Sequence, residues 1–191
     1  MSPTRAELES ARDRLLPDVV GPGLRVLFSG INPGLLSAWT GLHFARPGNR
    51  FWQALHASGF TPRLFRPDEQ QELLTLGLGI TNVAPRATAR ADELGRDEVV
   101  AGGAVLRAKV LALEPQWLAV VGVTAYRTAF ADRKAVVGPQ EGTVGGTRVW
   151  VLPNPSGLNA HHTAQSLGEE FARLRSRLLP WSPRRAEHGH F

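Results

Sequence analysis

The chain has 191 residues, 42% hydrophobic and 20% charged, with a formal charge of +5 from 22 Lys and Arg against 17 Asp and Glu. It has no cysteine, which excludes disulfides, thiolate chemistry and cysteine-ligated zinc or iron–sulfur clusters. No apolar run approaches the ~18 residues of a membrane span, and the six histidines fall in no metal-ligand spacing, so neither a membrane partner nor a metal or other cofactor is expected. Lys109 and Lys134 are the two lysines, so arginine carries the positive charge. Its planar fork suits phosphate, carboxylates and surface ion pairs alike, which makes a nucleic-acid partner compatible with the composition without requiring it.

In chain order, residues 4–15 read as a polar helix, and residues 24–29 as a short apolar strand that ends in GINPG at 30–34. A loop follows to about residue 48, then NRFWQALHASGF at 49–60, with an apolar helical face. Pro67 opens a short helix that Gly77 closes. LGITNV at 78–83 is a second strand, 97–113 a helix, QWLAVVG at 116–122 a third strand, TAYRTAF at 124–130 a brief helix, and TRVWVLP at 147–153 a fourth strand. The last helix is expected over 162–179, ahead of a basic, proline-containing tail at 180–191 expected to be loosely ordered.

Near-continuous apolar strands separated by helices predict one α/β domain: a three-layer α/β/α arrangement around a central, mostly parallel four-stranded sheet. In such folds ligands gather beyond the carboxyl ends of the strands. The strands here exit into GINPG, TNVAPR, GVTAY and PNPSGLN, and three of those four exits carry asparagine. GINPG is more restricted than a turn requires. It is either a strand exit with redundant turn residues, or a loop that holds Asn32 and nearby backbone amides still for a ligand.

GINPG at 30–34 and NPSGLN at 154–159, with TGLHFARPGNRFW at 40–52, GITNVAPR at 79–86 and VWVLPNPSGL at 149–158, resemble the mismatch-specific uracil-DNA glycosylases, the family that includes thymine-DNA glycosylase. The resemblance runs from the first strand to the start of the last helix. It implies excision of uracil opposite guanine by hydrolysis of the N-glycosidic bond, on a base taken out of the stack. Against that task Asn32 is a neutral amide whose carbonyl accepts a hydrogen bond from water and aims it, without acting as a general base. Uracil departs as a delocalised anion, so positioning and electrostatics suffice for a slow reaction.

The resemblance places Gly30 and Ile31 at the uracil pocket and Phe44 as the aromatic that stacks on the flipped base, worth about 1–3 kcal/mol. It places Asn154, Ser156, Gly157, Leu158 and Asn159 on the loop that enters the duplex, with Leu158 as an apolar wedge and Gly157 and Asn159 facing the widowed guanine. Asn154 stands where the classical uracil-DNA glycosylases carry a histidine, and Ala160 where some relatives carry a basic residue. Asp92 reads either as a carboxylate that polarises water, making it a second catalytic candidate, or as a solvated helix-approach residue. Ser37 lines the pocket without nucleophilic work, since no His–Asp pair supports it. Arg46, Arg50, His161 and His162 read either as phosphate contacts or as ordinary surface.

These readings predict a monomeric, cytoplasmic, monofunctional glycosylase acting on double-stranded DNA with uracil mismatches and leaving an abasic site. The alternative is a mismatch- or abasic-site-binding module of the same fold that does not cut. A nucleotide-binding α/β protein is disfavoured because no GxGxxG or GxxxxGK[ST] follows any strand.

Overall fold

A computed structural model describes residues 2–180. The expected tail at 180–191 therefore lies, Pro180 apart, outside the described residues. The sheet has five strands, β1 (Val26–Gly30), β2 (Leu78–Asn82), β3 (Trp117–Val121), β4 (Gly138–Val144) and β5 (Thr147–Leu152), in the order β2-β1-β3-β5-β4. The pairs β1–β2, β1–β3 and β3–β5 are parallel, while β4 runs antiparallel to β5.

The expected α/β/α architecture is present with one strand more than the sequence suggests. β4 reads GPQEGTV, which lacks the β-branched alternation of a strand. It persists because it pairs with β5 across a Gly145–Gly146 turn, and its Pro139 is tolerated at the sheet edge, beside an irregularity in register between Pro139 and Thr143.

The described residues form six α-helices: α1 (Arg5–Glu9), α2 (Leu35–Thr40), α3 (Phe51–Ala57), α4 (Arg96–Leu113), α5 (Val123–Ala129) and α6 (Ala164–Arg175). Pro67–Leu76 and Ala91–Glu93 are 3-10 segments. α2 falls where the sequence suggests loop. Its six residues make fewer than two turns, and Gly41 ends it in the left-handed region at φ 75°. α1 is shorter than expected, with a Thr4–Glu7 capping box at its start. α6 is capped by Thr163, whose hydroxyl accepts from the Ser166 amide.

Successive strand residues point to opposite faces and both faces are buried, so β1, β3 and most of β2 and β5 carry no polar alternation. Phe28 joins Phe51, Phe60, Trp150 and Phe171 on the face covered by α3 and α6. Its neighbour Leu27 joins Leu106, Val110, Leu118 and Val149 on the face covered by α4 and α5. Among the described residues, no helix is long and apolar enough to cross a membrane, and no group of three or more His, Asp or Glu stands together as a metal site.

Candidate active site

The chain reverses its direction of winding between β1 and β3: β1 connects outward to β2, and the chain then returns to β3 on the other side. A crevice opens beyond the carboxyl ends of the strands at such a switch point. Here it is a cleft of about 700 Å³, bounded by the GINPG loop, Asn82 at the end of β2, Val121 at the end of β3, the loop after β5 and the turn that carries Phe44.

Asn32 enters this cleft with its side chain held by two hydrogen bonds. Its Nδ2 donates to the Arg86 carbonyl at 2.9 Å and to Thr88 Oγ1 at 2.7 Å. A carbonyl only accepts, and the Thr88 hydroxyl spends its own proton on the Arg90 carbonyl at 2.7 Å. Both partners therefore demand the NH2 end of the amide, which fixes its orientation and leaves Oδ1 as an acceptor turned away from them. The holders are themselves held. Thr88 is buried, its amide donates to the Pro33 carbonyl at 3.1 Å, and the Arg86 guanidinium forks onto Glu98 of α4 at 2.8 and 2.9 Å. That fork keeps the Glu98 carboxyl below its usual pKa.

Gly30 answers half of the question posed by GINPG. A Cβ there would lie 2.5 Å from Asn82 Oδ1 and 3.4 Å from Phe44 Cζ, so the missing side chain is space that two other residues occupy. Gly34 meets nothing and starts α2 with ordinary backbone angles. The sequence reading passed over Asn82 as a site residue. The signal was present in its place at a strand exit, but its approach to Gly30 comes from the β1–β2 register, which pairs the two residues.

Phe44 stacks on Phe51 with ring centroids 4.0 Å apart and planes 20° from parallel. Its backbone is left-handed at φ 52°, which costs a bulky residue about 1 kcal/mol or more. Neighbouring bonds hold it there: the Ala45 amide donates to Ser37 Oγ at 3.2 Å, and the His43 amide donates to Gln70 Oε1 at 2.8 Å. Ser37 is buried in α2 and thus serves the turn as an acceptor. His43 is buried too, with Nε2 2.9 Å from the Pro17 carbonyl, and burial is the main cause that pushes its pKa below 6.5. Since that carbonyl only accepts, Nε2 carries the proton of a neutral ring.

The loop after β5 forms the opposite wall. Leu158 is 73% exposed at its tip. The asparagines on either side stitch the loop together: Asn154 Oδ1 accepts from the Ser156 amide at 2.9 Å, Asn159 Nδ2 donates to the Asn154 carbonyl at 2.9 Å, and Asn159 Oδ1 accepts from the His161 amide at 3.1 Å. Gly157 lies so close to the 46–50 turn that a Cβ would stand 2.6 Å from the Gly48 carbonyl oxygen.

The cleft therefore brings together Gly30, Ile31, Asn32, Ser37, Phe44, Asn154, Ser156, Leu158 and Asn159, while Gly157 seats their loop. Asp92 borders it from the rim. It is 68% exposed and paired with Arg90 at 2.9 Å, and it forms no hydrogen bond with Asn32. Arg46 is exposed at the mouth. Arg50 points its guanidinium into the loop after β5.

The sequence profile of the uracil DNA glycosylase superfamily matches residues 17–178 of the chain. Among solved structures, the fold is similar to the solution NMR structure of a candidate uracil DNA glycosylase from Methanosarcina acetivorans, with a TM-score of 0.55 and 20% sequence identity over 85% of this chain and 98% of that one.

Proposed function

Because this chain belongs to the uracil DNA glycosylase superfamily, we propose that it is a monofunctional glycosylase that hydrolyses the N-glycosidic bond of uracil in double-stranded DNA, preferring G:U mismatches. The observation that carries this reading is the Asn32 amide. Two acceptors hold its NH2 end, so an acceptor oxygen is presented at the switch-point cleft. A water that donates to Oδ1 keeps its lone pairs free to approach the anomeric carbon. As the glycosidic bond breaks, the electron pair leaves with the base as a delocalised anion. Water then adds to the cation-like sugar carbon and loses its proton to solvent. A neutral aligner forgoes much of the roughly 10²–10⁴-fold that a general base supplies, which predicts slow turnover.

The rest of the cleft supports the same reading. One face of Phe44 rests on Phe51, which leaves the other for a flipped base. Asn82 offers a donor and an acceptor from one amide, the complement of the O4 and N3–H edge of uracil. Leu158, apolar and exposed on a loop stiffened by Asn154 and Asn159, suits a wedge that fills the space the base leaves. In this reading the backbone of Gly157, beside Leu158, meets the widowed guanine and gives the mismatch preference; the Asn159 amide, also expected there, already donates to the Ser156 carbonyl at 3.0 Å. Asp92 takes a lesser part from the rim, where its pairing with Arg90 keeps it at the mouth of the cleft.

The decisive experiment is alkaline strand scission of labelled duplexes holding G:U, A:U or G:T. The expected result is cutting of G:U above A:U, reduced about 10²-fold in Asn32→Ala, the scale of a lost positioning group, and little altered in Asp92→Asn. Cutting that survives Asn32→Ala but falls in Asp92→Asn moves the water to the carboxylate. No cutting by folded, DNA-binding wild type replaces the enzyme by a binding module.

A further inference from the structure

We propose that Arg50 is the positioning residue of the wedge loop, a guanidinium clamp that holds residues 155–162 in the conformation needed to enter a duplex. The proposal rests on the glycosylase reading for its purpose, though not for its geometry. The Arg50 amide donates to the Pro155 carbonyl at 2.9 Å. Its Nη2 donates to the Ser156 carbonyl at 2.7 Å and the Asn159 carbonyl at 2.9 Å, and its Nη1 donates to the His162 carbonyl. One residue thus satisfies four main-chain acceptors on both sides of Leu158. Among the described residues Arg50 has no carboxylate within ion-pair distance, and its Nε is buried without a partner. Partly burying a guanidinium with no counter-charge is unfavourable unless directed hydrogen bonds compensate, and here its hydrogen bonds are all aimed at one loop.

A phosphate-binding arginine would keep its fork at the surface. Here three N–H groups of the fork are turned inward onto carbonyls of the loop. Lysine cannot replace it, because a single ammonium lacks the planar span that reaches three separate carbonyls. The loop is seated from the same side, where Gly157 packs against the Gly48 carbonyl. The clamp also ties the wedge to the base pocket. Arg50 directly precedes Phe51, which backs Phe44, and Trp52, whose Nε1 donates to the His43 carbonyl at 3.2 Å. The start of α3 is therefore a common footing that sets how far the stacking ring stands from the wedge.

Hydrogen–deuterium exchange on the full chain without DNA tests the clamp itself. In Arg50→Lys, amides of residues 154–162 are expected to exchange faster while those of β1, β3 and β5 keep wild-type protection. Unchanged loop exchange overturns the proposal. So does exchange that rises throughout the sheet, which would make Arg50 part of the general scaffold. Gly157→Ala, which lifts the loop off Gly48 without touching Arg50, is expected to give the same local pattern.

The functional arm is a double-mutant cycle on the G:U duplex. Arg50→Lys is expected to slow cutting about 10- to 100-fold, and to have little further effect in a Leu158→Ala background, because it acts through the wedge. Additive losses overturn the proposal, as does full activity of Arg50→Lys, which would mark a phosphate contact that needs only charge. If the wild type cuts neither G:U nor A:U, the glycosylase reading fails, and the exchange experiment still decides the clamp.

Discussion

At the scale of single residues, the cleft is built by groups whose freedom has been removed. Asn32 is held by two acceptors, Phe44 by the bonds of its neighbours, and Gly30 by what a side chain would strike. Gly30→Ala would push a methyl into Asn82 Oδ1 and Phe44, an overpacking that costs about 1–3 kcal/mol. A lowered melting temperature together with a raised KM for uracil DNA is the expected outcome. An unchanged KM would separate Asn82 from base binding. His43 makes a pH prediction. Burial lowers its pKa from 6.5, so the unfolded chain binds the proton more readily than the native one. Its contribution to stability is complete above pH 6.5 and falls away as pH drops from there toward the native pKa. Melting curves between pH 7.5 and 5.5, taken on wild type and His43→Gln, are expected to show that this part of the pH dependence disappears in the variant.

Elements show why short segments carry the site. β1, β2 and β3 are each five residues long and end on the same side of the sheet, so their exits converge. The loop after β5 projects from that edge and stiffens itself through Asn154 and Asn159 before Arg50 grips it. Leu158 makes few contacts of its own at 73% exposure. Leu158→Ala is therefore expected to leave the unfolding free energy within about 0.5 kcal/mol of wild type while lowering the rate on G:U duplexes, since unstacking a base step costs a few kcal/mol that the wedge offsets. Equal rates for the two proteins would remove Leu158 from the flipping step.

The whole molecule depends on two cores separated by the sheet, and the aromatic one lies beneath the site. Phe28, Phe51 and Phe171 meet ring to ring, with Phe28 stacked on Phe171 at 5.8 Å and edge-on to Phe51 at 5.5 Å. Phe51 also supports Phe44 and so links this core to the cleft. Phe171→Ala is expected to destabilise the fold by about 3–5 kcal/mol, a drop on the order of 10 °C in a chain of this size. Below its new melting temperature it should still cut G:U duplexes, because Phe171 is fully buried and is not among the residues that line the cleft. Loss of cutting in a fully folded variant would mean that the aromatic core sets the geometry of Phe44.

Local chemistry made much of this legible in one dimension. Apolar runs with buried faces on both sides announced β1, β2, β3 and β5, and asparagines at their exits marked the edge where Asn32 and Asn154 meet. What stayed hidden depends on partners distant along the chain. GPQEGTV becomes a strand only because β5 lies beside it, and α2 is too short to show a helical period. The orientation of the Asn32 amide is set by Arg86 and Thr88, more than fifty residues away. The same holds for Arg50. As a sequence letter it is a cation that suits phosphate or surface, and its use is decided by carbonyls more than a hundred residues further on. The sequence by itself determined which residue types reach the cleft edge, because hydrophobic period and turn chemistry are local. Only the tertiary structure decided which way their donors and acceptors point, because a hydrogen bond is settled by whatever the fold brings within three ångströms.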